Sequence, residues 1–157
     1  MQGKYFSFGA TSAVITGLAV IVSLSRTANP VIGITTALVV IAIADNVSDS
    51  FGIHVHQESQ KESVAEVRKT TFTNFATRVA VVSVFVLLVM LLPVNAAVAL
   101  SISFGIAVIS VISYFIAKER EAKPYIIIFQ HLLITVLVII GSYLLREVGA
   151  GLIAKYR

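Results

Sequence analysis

Five runs of about twenty apolar residues, each closed by a short polar break, limit what this chain can become. They cover about 6–25, 30–53, 75–92, 96–117 and 125–145. The second follows the Asn29-Pro30 turn, and the third meets the fourth across Pro93-Val94-Asn95, a connection short enough to force an antiparallel hairpin. At 1.5 Å per residue, twenty residues in a helix span roughly the 30 Å of hydrocarbon in a bilayer. The runs are continuously apolar where barrel strands would alternate, so helices are predicted. Composition agrees: 157 residues are 57% hydrophobic and 13% charged, with a mean hydropathy of +0.94. The expected architecture is therefore all-α, a polytopic membrane protein with a single transmembrane domain over 1–157 and a polar cytoplasmic segment at 54–74. The first run is too long for a signal h-region and lacks a small-x-small exit, so a retained helix is expected.

Five spans put the termini on opposite sides, and basic residues assign the sides. Lys4, Lys61, Arg68, Lys69, Lys118, Arg120 and Lys123 fall on one side, and Arg26, Arg146, Lys155 and Arg157 on the other, with Arg78 left out. Seven against four predicts a cytoplasmic amino terminus, in the cell membrane if the source is prokaryotic. The net charge of +4 lies in these flanking loops and forms no patch interleaved with aromatics, so the expected partner is the bilayer and not nucleic acid. Without cysteine, any metal must be held by oxygen or imidazole nitrogen, and Met1 and Met90 are both far in sequence from the acidic stretch of the second run. No nucleophile with a base, phosphate loop or metal-hydrolase spacing is present, which argues against an enzyme and its cofactors.

The chemistry gathers at the end of the second run, from Ala44 to His56. At 100° per residue Asp45, Asp49 and His56 fall within about 40° on one helical stripe, while His54 points the opposite way. A carboxylate at mid-bilayer costs roughly 2.5–3.5 kcal/mol on the insertion scale, so acids there read as an inward-facing site. Two carboxylates one turn apart are hard oxygen ligands for a divalent cation, and Asn46 and Ser48 add neutral oxygens. Desolvation favours the neutral form of a carboxylic acid, which suits such groups to exchanging protons for metal. His56 reads as a ligand at the mouth, a pH tuner or an ordinary surface histidine. Glu58, Glu62 and Glu66, four residues apart, form one helical face, either a solvated row paired with neighbours such as Arg68 or a cation-collecting entrance.

Gly9, Ala13 and Gly17 flatten one face of the first helix for close packing, with Ser12 and Thr16 beside it; Ser101 and Gly105 repeat the pattern in the fourth. Arg78, one turn into the third run, reads as snorkelling to the headgroups, with a pair to Asp49 or Asp45 as the alternative. Gln130 and His131 read as interhelical hydrogen-bond partners.

Taken together, Gly9-Ala10-Thr11-Ser12, the second-helix element from Ala44-Asp45 through Asp49-Ser50-Phe51-Gly52-Ile53, the Ser59-Gln60-Lys61-Glu62 exit and the Pro93 hairpin give the chain a resemblance to the vacuolar iron transporter family. It is similar to short forms that lack the long cytoplasmic metal-binding domain. The resemblance implies a five-helix carrier of Fe(II) or Mn(II), a homodimer with the ion pathway between the first two helices, and a place on that pathway for Asp45. The chain departs from the family at Ser12, where an aspartate is usual, and at Ile53, where a methionine is common. The expected function is export of Fe2+ or Mn2+ from the cytosol by proton antiport. The alternatives are a passive cation channel and a non-transporting scaffold or regulatory subunit whose buried acids are structural.

Overall fold

The computed structural model describes residues 3–156, and side chains from 7 to 152. Of the charges used to assign orientation, the side chains of Lys4 and Lys155 and all of Arg157 lie outside the described part. The fold is five α-helices: α1 (Gly3–Leu24), α2 (Pro30–Ser59), α3 (Val64–Leu91), α4 (Val94–Glu119) and α5 (Pro124–Tyr156). All five are long and apolar enough to cross a membrane. In hydrocarbon a helix satisfies every backbone group within itself, which is why continuously apolar runs settle into this state.

Local chemistry sets the ends. Pro30 opens α2 and Pro124 opens α5, where the missing amide N–H has no helical partner to lose. Ser63 caps α3, its hydroxyl accepting from the Glu66 amide at 3.3 Å. The α2–α3 and α4–α5 connections share one design. Lys61 and Glu121 adopt left-handed conformations, with φ of 57° and 53°. The next amides donate back to the helix, Glu62 to the Gln57 carbonyl at 3.2 Å and Ala122 to the Ala117 carbonyl at 2.9 Å.

These tight turns revise the segment predicted at 54–74. α2 extends to Ser59 and α3 begins at Val64, so most of that stretch is the continuation of two transmembrane helices. α5 likewise runs past the predicted 145, with Arg146 stacked 4.6 Å over the Tyr143 ring and paired with Glu147. Sequence alone ended the apolar spans where polarity rose and read the polar stretch from Gln57 to Thr71 as a helical extension; the structure has helix there on either side of the 60–63 turn. Polarity marks where a helix leaves hydrocarbon, not where its backbone stops being helical.

The core surrounds α1, which meets all four other helices. Ala10, Ala13, Val14, Leu18 and Ile21 are buried there with Phe85 of α3 and Ile109 of α4. Because lipid is as apolar as leucine, such helices associate through close van der Waals fit, and small residues make the fit possible. At Gly17 an added Cβ would lie 2.7 Å from the Phe85 ring, and at Gly105 it would lie 2.8 Å from Leu18 Cδ1. Phe85 in turn meets Phe104 edge-to-face, with centroids 5.5 Å apart.

Candidate functional site: a charged seam between three helices

α1, α2 and α3 enclose a polar seam, and Arg78 lies at its centre. Arg78 is 2% exposed, so the snorkelling reading does not hold. Its guanidinium reaches across the seam: Nη1 pairs with Asp49 and donates to Ser12 Oγ at 3.0 Å, and Nη2 lies 3.5 Å from Asp45 Oδ2. The physical reason is position. Arg78 is fourteen residues beyond the start of α3, and Asp45 fourteen residues before the end of α2. Both therefore sit about 21 Å from the shared α2–α3 turn at 1.5 Å per residue. That shared register sets the arginine opposite the two carboxylates, which hold its guanidinium in the seam.

One turn nearer the α2–α3 connection a neutral network continues the seam. Asn46, fully buried, donates from Nδ2 to the Phe75 carbonyl at 3.1 Å and accepts from Ser50 Oγ at 3.5 Å. Asn74 Nδ2 donates to Ser50 Oγ at 3.4 Å. Asn74 Oδ1 has no partner among the described residues, and it faces Gly9, where a Cβ would sit 2.7 Å away. Closer still to the turn, buried Gln57 accepts from the Thr70 hydroxyl and donates from Nε2 to Glu62 Oε2 at 2.8 Å.

Of the residues singled out in the sequence, Asp45, Asp49 and Ser12 converge on Arg78, and Asn46 adjoins them through Ser50 and Asn74. Ser50, not Ser48, is the buried hydroxyl, because the seam faces α3. His56 is exposed on the last turns of α2, seven residues beyond Asp49, and His54 pairs with Glu58 at 3.3 Å. Glu58, Glu62 and Glu66 do not share a helical face: the left-handed Lys61 separates them into the end of α2, the turn and the first turn of α3. Glu62 bonds Gln57, not Arg68. Gly9 and Gly17 are where α3 comes against α1, through Asn74 and Phe85 respectively, with Ala13 buried between them.

Ser50, Gln57, Thr70 and Asn74 escaped the sequence reading, although a signal was present. Thr70, Asn74 and Arg78 recur every four residues on α3, and Asn46, Ser50 and Gln57 at four and seven on α2. Two polar stripes on helices joined by a short turn must face each other. A second polar contact lies between α4 and α5, where His131 Nδ1 is 2.7 Å from Ser113 Oγ. The Ser113 hydroxyl is also 2.6 Å from the Ile109 carbonyl and donates there, so the imidazole N–H donates to Ser113.

The charged groups of the seam are two acids and one base. Among the described residues no three histidine or acidic side chains come together, so a metal held here would draw on the Asp45–Asp49 pair with neutral oxygens. Comparison with protein-family models, with curated proteins and with solved structures finds no match to this chain.

Proposed function

We propose that the protein is a membrane carrier for a divalent metal cation of the Fe2+ or Mn2+ kind, moving it out of the cytosol in exchange for protons. The observation that carries this reading is the acid pair on α2, Asp45 and Asp49, held at a three-helix seam with only one arginine opposite. Two carboxylates against one guanidinium leave a negative charge in the span, which a transported cation or proton can satisfy. The side chains of Asp45 and Asp49 remain 48% and 33% exposed at the surface of the single chain, whereas Arg78 is buried behind them. The resemblance of the α2 element to vacuolar iron transporters supports the same assignment, with a homodimer bringing two acid pairs together and the amino terminus on the cytosolic side.

One observation favours a second reading. Arg78 touches both acids and Ser12 at once, the arrangement of a buried structural ion pair that fastens α2 and α1 to α3. Purified protein in liposomes loaded with a metal-sensitive dye, challenged with Fe(II), Mn(II), Co(II), Zn(II) and Ca(II) across a pH gradient, separates the two. The carrier reading expects uptake that disappears in folded Asp45→Ala. Silence of the wild type toward every ion would leave the structural reading.

A further inference from the structure

The guanidinium in the seam is itself a cation bound by Asp45 and Asp49. With both acids ionised the cluster carries one net negative charge. A proton or other single positive charge brings it to neutrality with Arg78 in place. A divalent ion added beside Arg78 overshoots to a net positive charge and stands against a like charge at short range. With Arg78 withdrawn, the same ion and the two carboxylates balance.

The seam also holds a second seat for the guanidinium. Asn74 lies one turn before Arg78 on the same helical face, and its Oδ1 is fully buried without a partner among the described residues. Gly9 lets both lie close against α1: a Cβ there would lie 2.7 Å from Asn74 Oδ1, 2.8 Å from the Asn74 carbonyl oxygen and 3.4 Å from Arg78 Cγ. The two side chains thus share one groove left by the missing glycine side chain.

We propose that Arg78 is the specificity-determining residue of the acid pair, a tethered cation that must swing from Asp45 and Asp49 toward Asn74 Oδ1 before a divalent ion can bind. The inference builds on the reading of the acid pair as a cation site. It makes metal binding a displacement, and it makes the resident charge of the seam the quantity that limits affinity.

Binding of Mn2+ alone, followed in detergent by loss of the free-ion electron paramagnetic resonance signal, tests this on wild type, Arg78→Gln, Ser12→Asp and the double variant Arg78→Gln with Asp45→Asn. Size exclusion and thermal melting establish which variants fold. Arg78→Gln removes the competing charge. Ser12→Asp keeps Arg78 but adds a carboxylate beside its Nη1, drawing the guanidinium toward α1 and raising the acids to three. Each is expected to bind Mn2+ about tenfold tighter than wild type or better, with the gain lost in the double variant. A folded Arg78→Gln or Ser12→Asp no tighter than wild type, or a gain that survives Asp45→Asn, overturns the proposal. If Arg78→Gln does not fold, Ser12→Asp decides. The liposome assay keeps the two ideas apart: tighter Mn2+ binding by the variants with no wild-type transport sinks the carrier and spares the role of Arg78, and wild-type transport without tighter binding does the reverse.

Discussion

α1 faces two different halves of the bundle. Toward α2 and α3 it meets a seam with three ionisable side chains and several buried amides and hydroxyls; toward α4 and α5 the buried core is apolar around Ser101, with the Ser113–His131 pair between the outer helices and a cavity lined by Ser7, Thr11, Glu119, Arg120 and His131 at one end. Burial does not follow this division: the α3 and α4 spans are each 33% buried, against 17% for α2 and 6% for α5. The contrast separates two ways of joining helices in lipid. The α4 contact depends on shape, as Gly105 under Leu18 illustrates, and could be rebuilt from other small residues. The α2–α3 contact depends on charge, where removal of one partner leaves the others stranded.

That difference can be broken most severely at Arg78. Arg78→Ala should destabilise the folded protein by about 3 kcal/mol, since two carboxylates and the Ser12 hydroxyl lose their common partner; the half-open Asp45 is screened enough to keep the loss from being larger. Thermal melting in a mild detergent reads this, and a melting point within a degree of wild type would mean that water neutralises the seam. On the other half, Ser113→Ala should cost about 1 kcal/mol, one hydrogen bond to His131. If the two variants melted alike, the distinction between a charged and a shape-made half would collapse.

The sequence made the five spans legible because apolar length is a strong signal, and it made Asp45 and Asp49 conspicuous because acids are rare in such runs. The partner was harder to read. Nothing in one sequence fixes the register of Arg78 against α2 until the turn between α2 and α3 is located, and that turn lies within polar residues that read as continuous helix. Once the turn is confined to Gln60–Ser63, the two helices have a fixed register and Arg78 falls opposite the acids. The acidic row failed for the same reason, since the turn cuts through it at Lys61.

The four-residue turn between α2 and α3 also bears on how the protein enters its membrane. Inserted singly, α3 would carry an unmatched arginine and α2 two aspartates, each group opposed by roughly 2.5–3.5 kcal/mol at the centre of a span. Joined by so short a link, the opposite charges can meet before either helix faces lipid, and biogenesis then proceeds by hairpins and not by single spans. In a glycosylation-based insertion assay α3 alone should integrate less efficiently than the α2–α3 hairpin, and Arg78→Leu should erase the gap. The ion cluster would then serve first as a ticket of entry for two helices that neither could present alone.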